Sequence, residues 1–288
     1  MGNLYVVATP IGNLQDITLR ALDVLRNVDY IACEDTRQTI KLLNHYEIKK
    51  KLVAYHKFNE LSKSNFIIDD LKKGMDIAIV TDAGTPCISD PGYILIRKAR
   101  EEGINVFALP GASAVVSALS VSGIDTTNFA FIGFLPTDNT KFNEEIDRIK
   151  DLSINTFVLY ESPKRIVKLF NKLTTIFESA TVYIASDLTK IHERGFYGKI
   201  EDVYEQIKND ANIEKGEYAI VIEKKDKKVV EEGSISIEAM IVDTIVKNNC
   251  SVKEAIKKLN ENNKKLKKND IYEASLKLKD LLGGKNEK

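Results

Sequence analysis

Cysteine and histidine are scarce in this chain, with three of each among 288 residues. Cys33, Cys87 and Cys250 lie far apart and are odd in number, which excludes a disulfide framework and a zinc-type spacing. His45, His56 and His192 are equally scattered, so no metal site is expected. Long apolar runs are missing too. The first, residues 4–8, is far too short for a signal segment or a membrane span. Nor is there an excess of charge of either sign. Lys and Arg total 42 and Asp and Glu total 42, so no overall positive field advertises a nucleic-acid partner, although local charge can still be uneven. The familiar nucleotide motifs are absent as well: no Gly-x-Gly-x-x-Gly follows the first apolar run, and no Gly-Lys-Ser/Thr loop exists. The chain reads as a cytoplasmic protein without membrane association or structural metal.

What is present is alternation. Residues 4–8, 30–33, 52–55, 77–81 and 105–109 are short apolar runs suited to buried strands, with helical patterns such as Leu19, Leu22, Leu25 and Ile67, Ile68, Leu71 between them. That rhythm implies right-handed crossovers and an α/β domain with a mainly parallel sheet over residues 1–122. A second α/β domain with a mixed sheet is expected over residues 123–225, with strands at 130–134, 156–160, 181–186 and 218–223. Ser162 as N-cap and Pro163 at the first helical position announce a helix carrying Ile166, Leu169, Leu173 and Ile176 on one face. A small helical tail, residues 226–288, completes the chain. Its capping boxes are Ser251 with Glu254 and Asp270 with Glu273, and an earlier amphipathic helix carries Ile241, Val242, Ile245 and Val246. The lysine run at 264–268 between the capped helices suits either a solvated surface or phosphate contact.

The most informative stretch is Thr81-Asp82-Ala83-Gly84-Thr85-Pro86-Cys87-Ile88-Ser89-Asp90-Pro91-Gly92, set between a strand and a helix. Ordinary connections of this kind run to about 2–6 residues, so a longer one stiffened by Gly and Pro reads as a ligand loop. The first strand ends in Thr9-Pro10-Ile11-Gly12-Asn13-Leu14-Gln15-Asp16-Ile17-Thr18 and the second in Glu34-Asp35-Thr36-Arg37. In open parallel sheets ligands bind outside the C-terminal strand ends, so these loops converge on one rim with residues 110–114. For residues 34–37 a helix start decorated with acids explains the carboxylates but not Arg37. Past the strands of the second domain stand Tyr160-Glu161-Ser162-Pro163-Lys164-Arg165 and residues 187–193, of which only the latter lacks a structural explanation.

Together with Leu109-Pro110-Gly111, Gly133-Phe134-Leu135-Pro136 and Leu188-Thr189-Lys190, these motifs resemble the tetrapyrrole-methylase-like (class III) methyltransferases, in particular the subgroup acting on small-subunit ribosomal RNA. The resemblance covers nearly the whole chain. It implies two α/β domains with a cleft for S-adenosylmethionine between them and a helix-turn-helix-like tail. It also implies a homodimer that methylates the ribose 2′-hydroxyl of a decoding-region cytidine, within the assembled small subunit. Carried onto this sequence, it places Pro10, Asp82, Ala83, Gly84, Thr85, Ser113 and Ala114 on the first-domain side of the donor site. On the second-domain side it places Tyr160, Glu161, Ala185, Glu217 and Tyr218, near adenine. One departure is Asp187, where the pattern has Glu. Transfer to a hydroxyl is helped by a positioned base, for which Lys190 and Glu34 are the candidates. Lys190 would need a lowered pKa, and Arg37 suits a phosphate. Two further readings stay open at this level: a methylase of a small tetrapyrrole, and a non-catalytic RNA-binding or assembly factor.

Overall fold

The computed structural model describes residues 1–225, 236–262 and 268–283. The chain divides into two compact units, residues 1–225 and 226–288.

The first unit begins with strands β1 (Leu4–Val7), β2 (Tyr30–Cys33), β3 (Lys51–Ala54), β4 (Ile77–Val80) and β5 (Val106–Leu109). They alternate with helices α1 (Leu19–Asn27), α2 (Thr36–His45), α3 (Glu60–Lys72), α4 (Tyr93–Glu101) and α5 (Ala114–Val121). The strands form one wholly parallel sheet in the order β3-β2-β4-β1-β5. Successive side chains face opposite ways, which is why nearly unbroken apolar runs are needed. Leu4, Tyr30, Ala32, Ile77 and Ile79 meet Ile67, Leu71 and Leu95 of α3 and α4, while Val7, Ile31, Ala78 and Val80 meet Leu22, Leu25 and Leu43 of α1 and α2. The helices after β1 and β4 therefore leave on opposite faces, although the two strands are neighbours. Such a switch point opens a crevice at the C-terminal strand ends.

The second sheet holds β6 (Phe129–Phe134), β7 (Thr156–Glu161), β8 (Thr181–Ser186), β9 (Arg194–Lys199) and β10 (Tyr218–Glu223), in the order β6-β7-β10-β8-β9. It is mixed: β6 and β7 run parallel and the other pairs antiparallel. Helices α6 (Asn139–Asp151), α7 (Ile166–Ile176) and α8 (Ile200–Lys208) bury their apolar stripes on one face. The other face, carrying Val158, Ala185, Ala219 and Val221, packs on Val115, Ala118 and Leu119 of α5. One apolar helix thus joins the two sheets.

Two features of this first unit differ from the sequence reading. Helix α7 starts at Ile166 with Arg165 as its N-cap. Ser162 and Pro163 lie in a turn before it, in which the Ser162 carbonyl accepts from Arg165 N and Ile166 N. Strand β9 went unread because it is an edge strand with two glycines and alternating half-exposed residues rather than an apolar run.

In the second unit, α9 (Ile237–Asn248), α10 (Val252–Asn262) and α11 (Lys268–Gly283) enclose a core of Ile241, Ala255, Leu259, Ile271, Ala274 and Leu278. The Ser251–Glu254 box forms, with Ser251 N donating to Glu254 Oε2 at 2.9 Å and Glu254 N to Ser251 Oγ at 3.4 Å. Helix α11 begins two residues before Asp270, so that residue lies in its first turn. Val242 and Val246 are exposed on α9, and Ile237, Met240, Ile241 and Ile245 supply its inner face instead. Residues 264–267 of the lysine run and 226–232 of the preceding charged stretch lie outside the described residues.

Candidate active site

At the switch point the loops after β1 and β4 are sewn together. Thr9 N donates to the Gly84 carbonyl at 2.8 Å and Gly84 N to the Thr9 carbonyl at 3.0 Å, an isolated bridge between the loops. Thr85 Oγ1 donates to the Ala112 carbonyl at 3.2 Å, tying in the loop after β5. The loop after β2 joins through Asp35 N, which donates to Asp82 Oδ1 at 3.1 Å, and through Thr81 Oγ1, which donates to Glu34 Oε2 at 3.1 Å. Residues 81–92 hold their shape at a conformational cost, because Cys87 and Ser89 adopt positive φ alongside Gly84 and Gly92. Such backbone strain gathers where a loop is shaped for a ligand.

These loops and the second sheet enclose a hollow of about 620 Å³. Of the residues singled out from sequence, Glu34, Asp82, Ala83, Gly84, Thr85, Ser113, Ala114, Tyr160, Glu161, Glu217 and Tyr218 line it. Pro10 and Ala185 are buried and are not among the lining residues, and Ala185 packs among Val115, Leu188 and Ala219. Arg37 and Lys190 stand outside it. Sequence reasoning did not single out Ile11, Ile88, Ser89, Asp90, Phe134 or Leu188 as lining residues. Asp90 was visible as part of the 81–92 motif, and Phe134 and Leu188 as parts of theirs.

The first-sheet wall is acidic. Burial raises the pKa of Glu34, Asp82 and Asp90, and each is raised further by a neighbouring carboxylate. Asp90 is pushed up to about 6, by burial first and then by the charge of Glu34. Among the described residues, no three His, Cys, Asp or Glu side chains are grouped so that they could hold a metal ion.

Residues 34–37 divide their work. Asp35 is the N-cap of α2, accepting from Arg37 N at 2.8 Å, and the Arg37 guanidinium folds back on the same carboxylate at 2.7 Å. Those hydrogen bonds hold the Asp35 carboxyl down at about 2. Arg37 remains 86% exposed along its side chain, whereas Glu34 lines the hollow.

The second-sheet wall is shaped differently. Directly paired residues across strands share a face. Tyr160, Ala219 and Ala185 form one cross-strand row on the α5 side, and Glu161, Tyr218 and Ser186 form the next row, facing away. Tyr218 Oη accordingly donates to the Ile213 carbonyl at 2.7 Å inside the second sheet's own core. Glu161 is 2% exposed, with Oε1 accepting from Ser162 N at 2.7 Å and Oε2 lying 3.1 Å from Arg165 Nη2. Glu161 and Tyr218, expected on the adenine side of the donor site, line the hollow, while their side chains make contacts within the second domain.

Lys190 is held by two carboxylates, donating to Asp187 Oδ1 at 2.7 Å and Glu217 Oε2 at 3.0 Å. Burial is the largest single influence and lowers its pKa, but the two hydrogen bonds and the charges of Asp187 and Glu217 together outweigh it, and the net shift is upward. The expected lowering is therefore not found. Asp187, one carbon shorter than the Glu expected there from the resemblance, reaches Lys190 and presses on Gly216. A Cβ on Gly216 would fall 2.2 Å from Asp187 Oδ2. The loop after β8 also clasps the loop after β1, with Asn13 N donating to Thr189 Oγ1 at 2.9 Å. A Cβ on Gly12 would lie 2.7 Å from the Leu188 carbonyl oxygen.

Residues 3–204 match the family described as tetrapyrrole (corrin/porphyrin) methylases. The protein of Buchnera aphidicola named ribosomal RNA small subunit methyltransferase I is 40% identical over 97% of both chains. The protein of that name from Halalkalibacterium halodurans is 45% identical over 79% of this chain and 78% of its own. Among solved structures, a diphthine synthase superposes with a TM-score of 0.58 at 13% identity, covering 81% of this chain and 94% of its own. A uroporphyrin-III C-methyltransferase from Thermus thermophilus superposes with a TM-score of 0.53 at 20% identity, covering 81% of this chain and 98% of its own. These last two likenesses concern the fold alone. A hollow at the switch point, the matched span and two relatives at 40% identity or more agree: the chain belongs to the tetrapyrrole methylase family and, within it, to the group named ribosomal RNA small subunit methyltransferase I.

Proposed function

We propose that this protein transfers a methyl group from S-adenosylmethionine to the ribose 2′-hydroxyl of a cytidine in the decoding region of small-subunit ribosomal RNA. The observation that carries the reading is full-length similarity, 97% of both chains, to a protein named for that RNA. The hollow supports it. Three carboxylates on one wall suit a cationic sulfur donor, and Ile11, Leu188 and Ala219 give apolar area for a base. Ser113 precedes α5 without capping it through its hydroxyl, which leaves that group and the helix start available to a donor carboxylate. When bound, the donor supplies an already activated methyl group.

The chain's own task is then orientation and proton handling. Alignment of the hydroxyl can supply about 7–11 kcal/mol of the barrier lowering. Asp90 is assigned as proton acceptor, because it lines the hollow and titrates near working pH, with Glu34 beside it. Lys190 is assigned as a tie between Asp187 and Glu217, and Arg37 as a phosphate contact at the rim. Pro10 and Ala185 are assigned as supports of the lining. The domains are assigned as 1–122, 123–225 and 226–288. A homodimer acting in the cytoplasm on the assembled subunit is part of the same reading, since zero net charge gives a lone chain little general attraction for RNA. The test is mass mapping of small-subunit RNA from cells lacking the protein and cells with it restored. A ribose methyl lost and regained at one cytidine is the expected result, and an unchanged map would overturn the reading.

A further inference from the structure

Strand β6 carries one extra residue. Opposite β7, Phe131 pairs with Val158, Gly133 with Leu159 and Phe134 with Tyr160, so the register slips between Phe131 and Gly133. Side chains alternate along a strand, and a one-residue slip sends everything beyond it to the other face. Without the bulge Phe134 would stand opposite Glu161 and point into the second sheet's own core, where Ala130 and Ile132 already go. With it, Phe134 shares the face of Phe131, Val158 and Tyr160, and lines the hollow.

The bulge is held in place. Gly133 has φ +76°, and a Cβ there would sit 3.1 Å from Ser89 Oγ of the strained 81–92 loop. Phe134 stacks edge-on against Tyr160, with centroids 5.7 Å apart, and Tyr160 against Phe131 at 5.0 Å. Yet Phe134 remains 56% exposed, beside Ile88 at 44%. A bulge that brings a large ring out of a core and over a cavity has no packing rationale.

Resting on the proposed function, we infer that Phe134, backed by Tyr160, is the platform on which the base of the target nucleotide stacks. A ribose hydroxyl that must approach Asp90 belongs to a nucleotide drawn out of its own stack, and an exposed ring beside the carboxylates replaces the lost partner. The ring's exposure places it at the mouth, which favours the RNA base over the base of the donor.

The test uses the full chain and its Phe134→Ala, Phe134→Leu and Phe134→Trp variants. Binding of the fluorescein-labelled protein to small ribosomal subunits that lack the methyl group is measured by anisotropy, and binding of S-adenosylmethionine by calorimetry. Alanine should weaken subunit binding by about tenfold, the scale of one stacked base, and raise the KM for small subunits similarly. Leucine, apolar but without a π face, should lose nearly as much, and tryptophan should keep it. Donor affinity should stay within about twofold in all three. Unchanged subunit binding in the alanine variant, or leucine as good as phenylalanine, overturns the platform. Weakened donor binding overturns it too, by giving the ring to the donor's adenine. Wild-type protein that neither binds nor methylates those small subunits would instead remove the proposed function beneath it.

Discussion

The first sheet meets the hollow with loops and carboxylates; the second meets it with strand bodies, small residues and rings. On the first side Glu34, Asp82 and Asp90 stand beyond the ends of β2 and β4, each with its pKa raised by burial. On the second, the charged and hydroxyl-bearing row of Glu161, Tyr218 and Ser186 is turned away, and Tyr160, Ala185 and Ala219 form the cleft face. The parallel sheet ends all its strands on one edge, so its polar loops can gather there. The mixed sheet brings strand bodies alongside the cleft, and residues alternate in and out of it. Reactive polarity thus lies on one wall and shape on the other.

The strongest way to break this contrast is Asp90→Asn, which keeps the size and removes the ionisable group. If the acidic wall handles the proton, kcat on small subunits should fall by about 10²–10⁴-fold. Wild-type kcat should also decline below about pH 6, as Asp90 takes up a proton. Full activity and a flat pH profile in the variant would leave the wall without a chemical role.

On the opposite wall the expected effect is on folding rather than chemistry. Gly216 has φ +88°, and a Cβ there would collide with the Asp187 carboxylate that holds Lys190. Gly216→Ala should lower the unfolding free energy by about 2 kcal/mol, from backbone strain and a displaced ion pair. Equilibrium urea unfolding reads it directly, and a midpoint equal to wild type would show that the turn gives way without cost.

How much of this was legible in the sequence follows from the same contrast. The loop wall was readable, because Gly, Pro and Asp announce themselves in order along the chain and the parallel sheet collects them. The strands of the first sheet were readable to within a residue for the same reason, being almost wholly apolar in sequence. The strand wall was only half readable. That Glu161 and Tyr218 lie beside the hollow was visible, but the way their side chains turn depends on pairing register, which no local pattern encodes. The bulge at Gly133 and the edge strand β9 were hidden likewise, since both are properties of a partner strand. Ser162 and Pro163 have the chemistry of a helix start, yet Glu161 accepts from the Ser162 backbone and hydroxyl and the chain makes an extra turn before Ile166.

A subtler effect sharpens the acidic side. Because the folded pKa of Asp90 lies above its unfolded value of about 3.8, the native state holds its proton more tightly between pH 4 and 6. Stability is therefore undiminished below about pH 4 and falls as pH rises through about 6, where the unfolded chain ionises at less cost. Asp90→Asn removes that penalty. Its urea midpoint relative to wild type should rise between pH 5 and 7.5, by on the order of 1 kcal/mol after allowance for partial solvent screening. A constant offset between the two proteins across that range would mean Asp90 titrates as it does in the unfolded chain.

The smallest effect is expected at Lys190, where the two walls' roles are easiest to confuse. As a proton acceptor the amine must be neutral, and neutrality would forfeit both charge-assisted hydrogen bonds, at 2.7 Å to Asp187 and 3.0 Å to Glu217. The balance of burial against those bonds leaves the ammonium favoured, so its role is to hold two loops together. Lys190→Ala should accordingly lower kcat by less than about tenfold, far short of the 10²–10⁴ of a lost general base, and cost under about 1 kcal/mol of stability because the tie is partly exposed. A drop beyond a hundredfold, restored by added primary amine, would return the proton to Lys190 and give the second wall the chemistry that the fold assigns to the first.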